Sequence, residues 1–284
     1  MRAETLNLDT NFITLGATGH LVYTRLNPSL FATYVFSPRA KLQLIYTHKL
    51  QRPQPRQLNP YVVLETPQSV TAGNPHLKPQ DTDNFEARYT YAKDSLGLTI
   101  RGFHSRDTHL ISASSIVIPD PQNAGNQVLE TTSRNFGFRS DTGVEASYNN
   151  QVWKKLYILM DLTGTFTRLR NPDVPGIQSG TNLSGMLSLN YPLTPRTGLS
   201  FTANRMGRQL TGQGYWNAGT YSSLGLYHSL TPTVSVNLTV NDPFRTSQSR
   251  LVTETNSFHN TSVSRGPGPT IMISLNRSFS HFAR

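Results

Sequence analysis

The 284-residue chain contains no cysteine, which excludes disulfide frameworks, thiolate metal centres and cysteine nucleophiles together. Charged residues make up 15%, well below the roughly 25% of an ordinary soluble domain. No apolar run approaches the ~18 residues of a spanning helix, so a membrane role would need strands or an anchor. The start, Met1-Arg2-Ala3-Glu4, puts an acid where an export signal needs a basic end leading into an apolar core. A barrel with such a start is expected to be part of a longer chain, or to have its true start upstream.

Catalytic and nucleotide signatures are also missing. The eight His residues are scattered, His104 and His109 lying closest, and none forms a His-Glu-x-x-His pair. Gly-x-Ser-x-Gly and Gly-x-x-x-x-Gly-Lys do not occur. Neither catalysis nor a cofactor is expected. The net charge of +10 is spread singly, with no basic block longer than Arg39-Ala40-Lys41 or Lys154-Lys155. A nucleic-acid partner, which needs clustered cations, is therefore not expected.

What is present is a period of two. Leu156, Ile158, Met160, Leu162 and Phe166 share one face, against Asp161, Thr163, Thr165 and Thr167 on the other. Leu183, Leu187, Leu189 and Tyr191 oppose Asn182, Ser184, Ser188 and Asn190, and Val234, Val236, Leu238 and Val240 oppose Thr233, Ser235, Asn237 and Thr239. Soluble sandwiches alternate in the same way, but residues 95–117, 126–148 and 212–229 each read as one extended segment. These are longer than the usual strand of about 5–6 residues, and a membrane-spanning strand needs about 9–11.

The connections alternate in length. Tight ones fall near Ser37-Pro38-Arg39, Ala92-Lys93-Asp94-Ser95, Asn149-Asn150-Gln151, Pro192-Leu193-Thr194-Pro195 and Leu230-Thr231-Pro232. Irregular stretches fall at 9–26, 51–81, 118–125, 170–180, 208–211 and 244–265. Twelve strands are predicted near 2–8, 27–36, 40–50, 82–92, 95–117, 126–148, 152–169, 180–191, 196–207, 212–229, 232–246 and 266–280. Counted back from the C-terminus, they put every tight turn on one side and the long loops on the other, the asymmetry of outer-membrane barrels. Trp153, Tyr215 and Trp216 are candidate interfacial aromatics, with ordinary sheet packing as the alternative.

The segment from Leu42 to Tyr91 resembles the TonB-dependent outer-membrane receptors, in particular the outer-membrane β-barrel family branch. The resemblance rests on Arg52-Pro53, then Leu58-Asn59-Pro60-Tyr61, then Gly73-Asn74-Pro75-His76-Leu77-Lys78-Pro79, and a following strand with Glu86 and Tyr89. Asn241-Asp242-Pro243-Phe244 is similar to an element near the top of that family's penultimate strand. Ile271, Ile273, Leu275 and Phe279 resemble its terminal assembly strand, although Arg277 stands where the family usually has Tyr. Lacking backbone donors at its prolines, the 51–81 loop should be turn-rich and ordered by its own contacts. Its motif residues are expected to shape the loop, with direct ligand contact as the alternative. Arg52, Arg56 and Lys78 are read as solvated charges, or else as contacts for lipopolysaccharide phosphate or an anionic substrate.

The resemblance implies an all-β, antiparallel transmembrane β-barrel in the bacterial outer membrane: about twelve C-terminal strands of a 22-strand type receptor barrel, spanning residues 1–284, without plug domain or N-terminal strands. It further implies nutrient uptake, outer-membrane lipid, lipopolysaccharide and the barrel assembly machinery as partners, and the TonB system through the missing plug. Two alternatives stand beside it, a self-contained small outer-membrane pore or adhesin and a soluble β-rich binding protein. The substrate is not readable.

Overall fold

The computed structural model describes residues 2–12, 17–121, 123, 125–153, 155–171, 174, 176–254 and 259–279. The chain opens with a hairpin, β1 (Arg2–Phe12) and β2 (Ala17–Asn27), continues through Pro28 into β3 (Ser29–Ser37), and turns into β4 (Ala40–Gln51). A loop carries α1 (Pro55–Leu58), β5 (Val63–Thr66) and β6 (Ser69–Thr71) before β7 (Gln80–Lys93) and β8 (Leu96–Thr108). Next come β9 (Ile111–Pro119), β10 (Gln127–Asn135), β11 (Phe138–Val152), β12 (Leu156–Arg170) and β13 (Gln178–Thr194). The chain closes with β14 (Thr197–Thr211), β15 (Gly214–Thr231), β16 (Val234–Asn241), β17 (Gln248–Glu254), β18 (His259–Arg265) and β19 (Thr270–Arg277).

A 13-stranded sheet forms the wall, in the order β3-β4-β7-β8-β11-β12-β13-β14-β15, continued by β16-β19 toward the turn end and by β17-β18 toward the loop end. Its pairs are antiparallel throughout. Register makes the two faces chemically distinct. On one face Ile158 pairs with Leu189, Leu189 with Phe201, Phe201 with Leu224, Leu224 with Val240 and Val240 with Ile271. On the other, Tyr157 pairs with Asn190, Asn190 with Ser200 and Gly225 with Thr239. The first face suits hydrocarbon and the second water, the alternation a barrel wall requires.

The buried hydrophobic residues lie elsewhere. Leu58, Val70, Leu77, Val128, Phe136, Leu169, Leu210 and Val252 are all buried, and all sit in the loops or at the loop ends of strands. The wall itself is two-sided, so its side chains are half-exposed to the lumen or to the lipid space. Its regularity comes from the backbone ladder.

The wall strands follow the predicted ones closely, and the tight turns do fall at one end. Four readings change. The segments 95–117 and 126–148 are each two strands: β8 stops at His109, which has φ 54°, and β11 starts after Phe136-Gly137. The outer pieces, β9 and β10, leave the wall and join β5 and β6 in a separate 4-stranded sheet with one parallel pair, β6 with β10. The stretches 9–26, 51–81 and 244–265 carry β2, β5, β6, β17 and β18, and 208–211 continues β14, so the outer connection to β15 is tight. The predicted strand 2–8 belongs to β1, which among the described residues pairs only with β2, in a separate two-stranded sheet. Among the described residues, β3 pairs only with β4 and β19 only with β16 along the wall. Among the described residues the sheet is therefore open on both sides, at β3 on one and at β18 and β19 on the other.

Candidate functional site

The loop end of the wall is built around the 51–81 segment. Gln54 and Gln57 close a capping box over α1, with the Gln54 N–H donating to Gln57 Oε1 at 2.8 Å, and Leu58 turns inward and is buried. The Asn59 carbonyl accepts the Gly73 N–H at 2.8 Å, and the Gln57 carbonyl accepts the Asn74 N–H at 2.6 Å. A Cβ at Gly73 would run into the backbone carbonyls of Arg56, Gln57 and Asn59, so only glycine permits this approach. Asn74 Nδ2 donates to the Ser133 carbonyl at 3.2 Å, and Leu77, 1% exposed, fills the space beneath.

Lys78 contributes its backbone here. Its N–H donates to Asn135 Oδ1 (2.7 Å) and its carbonyl accepts from Asn135 Nδ2 (2.8 Å), a paired contact that also reaches the His109 carbonyl at 2.8 Å. The Lys78 side chain is exposed; Pro53 is buried and Pro60, Pro75 and Pro79 are half-buried along the same path. Arg52 ion-pairs with Glu4 of β1, its Nε lying 2.9 Å from Glu4 Oε1. That hydrogen bond raises the Arg52 pKa further. Beside the pair, burial first, and then the Glu4 carboxylate, push the Tyr23 hydroxyl up from 10.0, against Arg52, which lowers it.

The β14–β15 tip is stitched into the same assembly. Buried Gln213 accepts the Ser115 N–H at 2.7 Å and donates to the Ser115 carbonyl at 3.0 Å, so its amide acts as an extra rung on β9. The Gln213 carbonyl accepts the Glu254 N–H at 2.6 Å, tying β17 in. Asn171 Nδ2 donates to the Gly212 carbonyl at 2.6 Å, and the Phe136 ring occupies the space a Gly212 side chain would need. In the Asn241–Phe244 element, Asp242 is buried and accepts the Thr246 N–H at 2.8 Å, whereas Phe244 is exposed. Tyr215 and Trp216 belong to this assembly, Tyr215 lying under the Arg208 guanidinium at 3.7 Å, while Trp153 stands exposed at the turn end. On β19, Ile271, Ile273 and Leu275 continue the apolar face opposite Val240, Leu238 and Val236; Phe279 lies beyond the strand and is exposed.

Below the loops, the wet face carries charges of which the sequence reading singled out only Glu86. Arg101 binds Glu145 at 2.6 Å and Glu86 at 3.4 Å, and Glu86 also binds Arg88 at 3.0 Å. The Arg101 guanidinium lies 4.8 Å from the Phe103 ring centre, and that ring lies over Gly143. Higher up, Asp141 is held by Arg139 and by the Thr167 hydroxyl, and Asp107 by the Thr82 hydroxyl. The signal was available as acids and bases at the same parity in successive strands, but pairing them required the register. Among the described residues no group of side chains is arranged to hold a metal. The arrangement offers a polar, charge-balanced lumen wall under an ordered set of loops.

A profile of the outer membrane protein beta-barrel family matches residues 1–279. No curated protein matches the sequence. Solved structures do match in fold. The siderophore receptor PirA from Pseudomonas aeruginosa aligns with a TM-score of 0.65 at 16% identity, covering 93% of this chain and 44% of that one. The ferric enterobactin receptor PfeA of the same organism, in complex with BCV-L6, gives 0.65 at 20% identity, with 92% and 42% covered. The ferric-catecholate import receptor Fiu from E. coli K12 gives 0.61 at 14%, with 93% and 36% covered. The chain spans less than half the length of each of these receptors.

Proposed function

Because the chain belongs to the outer membrane protein beta-barrel family, we propose that it forms the C-terminal part of the wall of a TonB-dependent receptor that takes up a scarce nutrient across the outer membrane. The observation that carries this reading is the open wall. It has an apolar face, a charge-paired wet face and capped loops, yet β3 and β19 each keep a free edge. In hydrocarbon each unpaired backbone group costs several kcal/mol, so such a wall calls for further strands to close it.

On this reading the loop motif, from Arg52 and Pro53 through Leu58, Asn59 and Pro60 to Gly73, Asn74, Pro75, Leu77, Lys78 and Pro79, shapes the outer surface. Ile271, Ile273, Leu275 and Phe279 present the terminal strand to the assembly machinery. The TonB system acts through a plug domain seated against the wet face, and neither catalysis nor a cofactor is needed. A self-contained pore is disfavoured by the two open edges, and a soluble binding protein by the exposed apolar face.

The test is uptake in cells from which the coding region for residues 1–284 has been deleted. Uncoupler-sensitive uptake of one nutrient class, beginning with iron chelates, should be lost and should return with the full-length gene. Uptake restored by residues 1–284 alone and sensitive to an uncoupler would overturn the partial-wall reading; unaltered uptake of every class would overturn the transport reading.

A further inference from the structure

Where β4, β7 and β8 pass through the outer half of the apolar face, that face is grooved. The groove, about 480 Å³ in volume, runs over Ala32, Leu44, Ala87 and Gly102, which are successive cross-strand partners. A row of larger rings, Tyr46, Phe85 and His104, walls it on the loop side. Its depth comes from missing side chains. A Cβ at Gly102 would meet nothing within 4 Å, and no unusual φ calls for glycine there. Gly164, in the same row beyond Val144, is equally open. Glycine at these positions removes volume from the lipid face without serving the backbone.

Directly beyond the groove on β8 stands Arg106, with its guanidinium 5.5 Å from the Phe138 ring centre. Arg106 and Arg168 both pair with Ser140, one from each side, and Arg170 pairs with Phe138. Two strand spacings put Arg106 and Arg168 roughly 10 Å apart. All three arginines are exposed, and Arg168 and Arg170 make no ion pair with the described residues. The carboxylate opposite Arg106, Asp83, is engaged by the Tyr46 hydroxyl at 2.9 Å and by His48 Nδ1 at 3.0 Å. These cations therefore sit on the membrane-facing side, just past the row of Tyr46, Phe85 and His104 and beside Phe138, at the height where a strand leaves hydrocarbon.

We propose that this face is a binding site for one phosphorylated lipid of the outer leaflet, its acyl chain in the groove over Ala87 and Gly102 and its phosphate between Arg106 and Arg168. A guanidinium fork matches a phosphate, and Ser140 between the two arginines adds a hydroxyl. Gly102 in the groove and Arg106 at the cationic end lie on one strand, β8, so a single molecule with both chemistries reaches both. The site rests on the lipid-facing orientation and not on the uptake reading.

The experiment measures lipid retained by the full-length protein after extraction from vesicles of phosphatidylcholine doped with lipid A, or with lipid A stripped of its phosphates. Wild type should retain close to one phosphorylated molecule and little of the stripped one. R106Q/R168Q should weaken retention by roughly tenfold or more, as expected for the loss of charge-assisted contacts. Gly102→Trp, which fills open space, should displace the lipid with both arginines intact. Equal retention in wild type and both variants would overturn the site; retention of the stripped lipid as well as the native one would overturn the role of the arginines. Inorganic phosphate that competes as well as the lipid would overturn the lipid as its source.

Discussion

Replacing Met160 by lysine tests the orientation of the wall at a single residue. The apolar face of β12 runs from Leu156 to Phe166 before Arg168 follows. Met160 and Leu162 therefore lie nearest the middle of the bilayer, and Ile158 lies closer to the turn end. A lysine at the midplane of a barrel's lipid face costs about 2–4 kcal/mol, falling to about 0–1 near the interfaces. Thr163 lies on the opposite face, directly across from Glu145. A lysine there stays in water and meets a carboxylate, with a net effect within about 1 kcal/mol. The folding equilibria of Met160→Lys and Thr163→Lys should then differ by roughly one to three orders of magnitude. Reversible urea unfolding of the full-length protein in vesicles, followed by tryptophan fluorescence, reads the difference. Equal costs, or a larger cost at Thr163, would refute the assignment of the faces.

Three further outcomes follow from the loop end. Phe136 is 2% exposed, so Phe136→Ala should destabilise the loop unit by about 3–5 kcal/mol; hydrogen exchange should quicken in β9 and β10 while the β11–β14 wall stays protected. Gly212→Ala drives a methyl group into the Phe136 ring and should cost about 1–3 kcal/mol. Phe136→Leu in the same chain should cost less than the two changes summed, and strict additivity would show that the pair does not touch. Cysteine introduced at exposed Gln68 should react with an impermeant maleimide on intact cells, whereas cysteine at exposed Lys93 should react only after permeabilisation; the reverse pattern would invert the topology.

The wall was legible because its information is local. Each strand repeats a two-residue rhythm, and the tight turns at the turn end interrupt it with Pro or Asp, except after β11, where Asn149 and Asn150 stay in the strand and the chain turns at Trp153 with φ 49°. What the rhythm does not report is the place where a strand leaves the sheet. From Leu96 to Pro119 the sequence has no internal proline and no glycine after Gly97 and Gly102, so nothing local marks the left-handed His109 that follows the end of β8. In the loops the signals were of the opposite kind. Six prolines between Pro53 and Pro79 announce turns and hide the short β5 and β6. The residues that hold this loop, Ser133 and Asn135, lie on β10, far away in sequence. The lumen pairs were invisible for a related reason, since Glu86, Arg101 and Glu145 come together only through the registers of β7 with β8 and β8 with β11.

The open edge at β3 connects these observations to the proposed receptor. Its lipid side continues the apolar face with Leu30, Tyr34 and Phe36, but its lumen side is also partly apolar, carrying Phe31 and Val35 at 65% and 62% exposure. Farther along the wet face the row of Val35 is polar, running through Lys41, Thr90, Thr99 and Ser147 to Asp161, whereas the row of Phe31 stays partly apolar through Ile45 and Phe103, with Glu86 between them. A strand facing only water on its inner side has no use for Phe31, and a strand facing only lipid on its outer side has no use for an unpaired backbone. Both features are resolved together if the wall continues past β3 and if a folded body lies against its inner surface at that point. The apolar lumen residues therefore favour a filled barrel over an empty pore.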